Sequence, residues 1–245
     1  MIGSAPCSRL LAQSPAAGNL KVAKDFKVEL LYTVPKETEG SWVALCVDPK
    51  GRLIVSDQYG KLYRVVPPPV GTSGPIQHEA IDLPVGKAHG LLYAFDSLYV
   101  MVNEDANRGL YRVRDTDGDD RFDEVKLLRK LEGGGEHGVH AILLGPDRRS
   151  LYVVCGNMTK LTEYDSSRVP LDWSEDHLLP RLWDGNGFMK GVLGPGGWIA
   201  RTDAEGKNWE LIAVGFRIPY RPVIEAHRDL PPSWGLFHDD PFTMN

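Results

Sequence analysis

Between residues 26 and 217 the chain is built of short apolar runs and alternating stretches, each closed by a polar turn. "FKVELLYTV" puts Phe26, Val28, Leu30 and Tyr32 on one side, which predicts a half-buried strand, one that would complete the last blade of a closed ring. "GRLIVSDQYGKLYRV" (51–65), "DSLYVMVNEDANRGLYRV" (96–113) and "RSLYVVCGNMTKL" (149–161) share one plan, and each follows another short apolar run, "SWVALCVDP", "HGLLYAF" and "VHAILLGPD". The plan is an apolar strand, a polar turn and, in the first two, a second strand ending Leu-Tyr-Arg-Val. Their starts lie 45 and 53 residues apart, a period that suits four-stranded blades of a β-propeller with loop insertions and that a continuous sandwich does not predict. Asp-Pro-Lys-Gly at 48–51 and Gly-Pro-Asp-Arg at 145–148 are turn chemistry between neighbouring strands.

"GGWIARTDAEGKNWELIAVGF" predicts a fourth hairpin, with strands at 198–201 and 209–214 around a turn at 203–206. Residues 162–197 have no period and read as a loop excursion. From Ile218 onward the pattern stops, and five prolines break the stretch. The expected fold is therefore all-β, a partial β-propeller of about three to four blades over residues 23–217. Residues 1–22 read as a disordered, protease-sensitive segment and 218–245 as an irregular tail. Either the chain is a fragment or that tail is not the native continuation of what precedes it. An unclosed ring leaves apolar blade faces uncovered, so oligomers or aggregates are expected.

Composition narrows the function. A chain of 245 residues, 42% of them apolar, can bury a real core, and its 26 glycines and 18 prolines argue for turns and short elements against a helical bundle. The net charge of -5 gives no overall basic face for nucleic acid. No stretch approaches the roughly 20 apolar residues of a membrane span. The first 20 residues hold an apolar run too weak for a signal peptide, though they could be the remnant of one. Three cysteines form no dense disulfide framework, and Cys46 and Cys155, inside apolar runs, read as buried free thiols.

The strongest local chemistry is "DTDGDDRFDE" (115–124). Asp115, Asp117, Asp119 and Asp123 offer oxygens along a tight loop, as a hard cation such as calcium requires, and Gly118 permits the bend. The loop opens like an EF-hand but has Asp120 at its sixth position and Lys126 at its twelfth, and its flanks read as strands. A calcium-stapled hairpin tip stands against a solvated acidic turn. Elsewhere, "GGGEHGVHAILLGPD" sets His137 and His140 in a glycine-rich approach to a strand, and His89 stands before "GLL"; each has an alternative reading as a turn histidine satisfied locally.

"GEHGVHAILLGPDRRSLYVVCGN" together with "AVGFRIPY" resembles the soluble quinoprotein glucose dehydrogenase and sorbosone dehydrogenase family, six-bladed propellers that bind pyrroloquinoline quinone. Residues 25–217 are more similar still to large exported bacterial proteins labelled membrane-bound dehydrogenases, often fused to a haem c module. The resemblance implies a six-bladed ring, a periplasmic or extracellular location, and a sugar or polyol as ligand. In that family a histidine eight positions before the glycine of the Gly-Pro-Asp turn is the general base on the sugar hydroxyl. Counting from Gly145 gives His137. Arg217 in "GFRIPY" matches the family's Gly-x-Arg-Asn-Pro, where the arginine contacts cofactor carboxylate or substrate, but Ile218 replaces the asparagine. His89 is expected to face the same cleft, and His140 to be structural. Calcium and the quinone are the implied cofactors, with haem c only in a missing C-terminal part. Two function classes follow: a sugar or polyol dehydrogenase-like propeller, inactive if truncated, or a non-catalytic platform for carbohydrate or protein.

Overall fold

The computed structural model describes residues 20–69, 72, 75–170, 195–217 and 219, and the backbone of 224–225 and 233–234. The expectations for residues 1–19, for most of the 162–197 excursion and for nearly all of the tail from 218 onward lie outside the described residues.

Three antiparallel meanders follow a one-turn helix, α1 (Lys36–Glu39). The first contains β1 (Trp42–Val47), β2 (Leu53–Asp57), β3 (Leu62–Val66) and β4 (Gln77–Ile81); the second, β5 (Ala88–Ala94), β6 (Ser97–Val102), β7 (Gly109–Arg114) and β8 (Glu124–Lys130). The third contains β9 (Val139–Leu144), β10 (Ser150–Cys155), β12 (Gly197–Asp203) and β13 (Trp209–Phe216), with β11 (Ser166–Ser167) laid parallel on the outer edge of β13. Two further two-residue strands, β14 (Ile224–Glu225) and β15 (Ser233–Trp234), pair with each other. The first strand of each meander packs against the first strand of the next, β1 on β5 and β5 on β9. Sheets stacked radially on their innermost strands are the blades of a propeller, here a partial one of three blades.

Two expectations are corrected. Residues 26–34 form no strand, because no edge among the described residues pairs with them and a strand without a ladder leaves its backbone groups to water. Phe26 is accordingly exposed, and Tyr32 is pinned against Trp42. The hairpin at 197–216 is not a fourth unit: β12 pairs with β10 along Ser150–Cys155, so this hairpin is the outer half of the third blade and the excursion interrupts that blade.

Radial stacking explains why β6 ("SLYVMV") and β10 ("SLYVVC") are buried at every position instead of every second one. Leu98, Val100 and Val102 join Ile54 and Leu62 of the first blade, whereas Tyr99 and Met101 join Leu151, Val153 and Trp198 of the third. A strand covered on both faces reads as a continuous apolar run. β1 lacks a neighbour on one side. Its Ala44 and Cys46 pack inward, while Val43, Leu45 and Val47 are exposed.

Polar clasps add to the stacking. Asp120, at the tip of the β7–β8 loop, takes a bidentate pair from Arg52 of the first blade (2.6 and 2.7 Å) and one from Lys50 (3.0 Å), and its carbonyl accepts from Arg64. Glu205, at the β12–β13 turn, pairs with Arg112 of the second blade, and Tyr99 donates to the Ala204 carbonyl at 2.9 Å.

Candidate functional site

The inner strands carry the same irregularity three times. The β1–β2 ladder steps from Trp42↔Asp57 to Ala44↔Ser56, the β5–β6 ladder from Ala88↔Val102 to Gly90↔Met101, and the β9–β10 ladder from Val139↔Cys155 to Ala141↔Val154. The residues skipped are Val43, His89 and His140. Such a bulge leaves its extra residue outside the ladder and re-aims the side chain. All three line one open cleft of about 980 Å³. The rest of the described lining comes from the mouth loops, with Gln58 and Tyr59 from the first blade, Lys87 and residues 103–106 from the second, and Gly135 and Glu136 from the third.

Backbone chemistry shapes the third blade's approach to this cleft. Gly133 and Gly134 have φ of +106° and +144°. A Cβ on Gly133 would lie 2.0 Å from the Met158 carbonyl oxygen, and one on Gly134 would lie 2.0 Å from the buried Arg108 guanidinium. Only glycine fits there. Asn103 ties this approach to the second blade. Its Nδ2 donates to the Gly135 carbonyl (3.0 Å) and reaches His89 Nδ1 at 3.4 Å, and its Oδ1 accepts from Arg108 Nε at 3.2 Å. The sequence reading did not single out Asn103. The signal was available in the repeat, since Asn103 follows β6 as Gln58 follows β2.

The three histidines divide. His137, expected as the base, is 1% exposed, and its Nδ1 lies 2.8 Å from Asn157 Oδ1. The amide oxygen can only accept, so Nδ1 is the donor in this bond. His137 is not among the residues lining the cleft. His89, expected there, is, and so is His140, which the sequence assigned to structure. The His89 and His140 rings lie 6.1 Å apart, centroid to centroid, tilted by 34°. Burial, helped by the neighbouring His89 and His137, pushes the His140 imidazole down to about 4. Burial also lowers His89. Arg217 is exposed, and its carbonyl accepts from the Asn157 N–H at 2.9 Å, which puts its backbone beside the partner of His137. Its guanidinium is not part of the described lining.

The cleft mouth is acidic. Lys87 pairs with Glu104, and Asp105 with Arg108, while Glu136 adds a third carboxylate. A carboxylate-bearing quinone needs several cations. Among the described lining residues one lysine, already paired with Glu104, is cationic, so these residues alone do not supply that set.

At the β7–β8 loop, Asp115, Asp117 and Asp119 bring one oxygen each within 4.8 Å of one another. Asp115 also accepts from the N–H groups of Gly118 (2.7 Å) and Asp120 (2.9 Å), which curls the loop around it. Asp123 stands apart from the trio: its carboxylate caps Thr116 through N–H and Oγ1, and those bonds hold it below the usual aspartate range. Three of the four proposed ligands thus fit a hard cation. Both described cysteines are free thiols, Cys46 pushed up to about 12 by burial and Cys155 raised well above its usual value by complete burial.

The fold and cleft define a partial β-propeller with an open axial site. No known family model matches the chain, and no curated protein matches it in sequence. Among solved structures it is similar to the PQQ-bound form of aldose sugar dehydrogenase from Streptomyces coelicolor, with 20% identity, 68% of this chain and 46% of that one covered, and a TM-score of 0.41. It is also similar to the calcium structure of a family AA12 carbohydrate-active enzyme from Trichoderma reesei, with 15% identity, 53% and 32% covered, and a TM-score of 0.39. The chain spans less than half the length of either.

Proposed function

We propose that this chain is part of an exported propeller of the sugar or polyol dehydrogenase type, binding a neutral polyhydroxyl ligand in its axial cleft and inactive by itself. The observation that carries the reading is the cleft, where equivalent positions of three blades converge on one space rich in hydrogen-bonding groups. Neutral imidazoles, a carboxamide and carboxylates are a donor and acceptor set suited to hydroxyl groups. Calcium at Asp115, Asp117 and Asp119 would brace a blade tip away from the chemistry.

A second reading, a binding platform without turnover, draws support from His137, whose burial keeps the expected base out of the cleft lining. Turnover separates the two. Purified protein given pyrroloquinoline quinone, calcium, an aldose panel and a dye acceptor should reduce no more dye than its His137→Ala variant, while titration calorimetry with the same sugars should detect binding that Asn103→Leu weakens. A His137-dependent rate would overturn inactivity. Failure of every sugar and polyol to bind would overturn the ligand class.

A further inference from the structure

We propose that Tyr59 is the stacking platform of the axial cleft, which therefore takes its polyhydroxyl ligand as a closed pyranose ring and not as an open-chain polyol; the inference rests on the ligand class argued above. Tyr59 lines the cleft and is 71% exposed. The backbone beneath it is fixed. Asp57, buried at the end of β2, accepts from the N–H groups of Ser41 (2.9 Å) and Tyr59 (3.1 Å), and the Gly60 carbonyl accepts from the Lys87 N–H at 2.8 Å. Close packing takes up the remaining slack: a Cβ on Gly60 would lie 2.4 Å from Asp57 Oδ2, and one on Gly86 would lie 2.1 Å from the Gly60 carbonyl oxygen. An exposed aromatic ring on a held backbone loses little conformational freedom when a ligand lands on it.

The blades divide the chemistry between them. Gln58 and Tyr59 follow β2 as Asn103 and Glu104 follow β6, so where the second blade puts a carboxylate the first puts a phenol ring. The first blade also supplies Val43 to the lining, at the bulge position that the other two blades fill with His89 and His140. Apolar surface thus gathers on the first blade's side, facing polar groups from the second and third. A β-glucopyranose is divided in the same way. Its hydroxyls lie around the rim, and its axial C–H bonds form an apolar face that can lie on an aromatic ring. An open-chain alditol carries the hydroxyls without the face.

The test compares methyl β-glucopyranoside with sorbitol on the whole chain, by calorimetric titration and saturation-transfer NMR. The pyranoside should bind the more tightly, with saturation strongest at the protons of one ring face. Tyr59→Ala should weaken the pyranoside at least roughly fivefold, as loss of a tyrosine anchor does, whereas Tyr59→Phe should stay within about twofold because the ring and not the hydroxyl makes the contact. Phe26→Ala, which removes an exposed aromatic outside the cleft lining, should leave the affinity unchanged. The exposure of Tyr59 lets its variants keep the fold, which equal denaturation midpoints verify. Equal pyranoside affinity in wild type and Tyr59→Ala, or sorbitol bound as tightly as the pyranoside, would overturn the platform and leave the polyol reading standing. No binding of either compound would overturn both.

Discussion

At the scale of single residues, the approach to the cleft depends on positions where a side chain cannot exist. Gly133 combines φ of +106° with a carbonyl oxygen in the space of a Cβ, and its neighbour across the isolated bridge is Thr159. Gly133→Ala must strain the backbone and move the Met158 peptide, so it should cost roughly 2 to 4 kcal/mol in denaturant midpoint measurements. Gly51 has φ of +77° and open space around it, so Gly51→Ala carries the φ penalty alone, about 1 kcal/mol. Equal losses at the two sites would show that the Met158 contact is not what demands glycine at 133. The glycine run was visible in the sequence, but not the reason for it, because Met158 and Arg108 approach from segments distant in sequence. The same gap explains the histidines. Family register picked out His137, and only the unpaired bulge at each inner strand showed that His140 shares the cleft with His89.

At the scale of elements, the β7–β8 loop both gathers carboxylates and holds the first blade. Arg52 and Lys50 keep Asp120 well below its usual range, although the pair is partly exposed. A carboxylate depressed by folding contributes stability above its unfolded value, near 4, and loses it as pH falls further. The interface of the first two blades should therefore loosen below about pH 4. Asp120→Asn should remove that acid-dependent component, at a cost of about 1 kcal/mol at neutral pH given the exposure. Denaturant midpoints measured across a pH series check both, and an unchanged acid limb in the variant would discard the clasp. Calcium should raise the melting temperature through the same loop, and Asp117→Asn with Asp119→Asn should abolish the gain; equal shifts in both proteins would remove the cation. The blade strands were legible from apolar runs and turn residues, and Asp48 and Asp147 do cap their turns as read. Residues 26–34 misled because alternation reports what a strand would bury, and says nothing about whether an edge exists to receive it.

For the whole molecule, the flank left uncovered among the described residues is the first blade's. Leu45 and Leu91 occupy equivalent places, opposite Val55 and Val100, yet Leu45 is 61% exposed and Leu91 7%. The difference is the presence of a preceding blade. The isolated chain should therefore self-associate in light scattering, and Leu45→Lys should shift it toward monomer without lowering its melting temperature. A monodisperse wild type would mean that this flank is covered in solution. The two clasps share a direction: the second blade grips the first through Asp120, and the third grips the second through Glu205. During synthesis from the N-terminus each blade is consequently fastened by the one translated after it. A ribosome that pauses within the third blade would hold a second blade with its packing begun and its lock not yet made, and that interval is where a chaperone would find it.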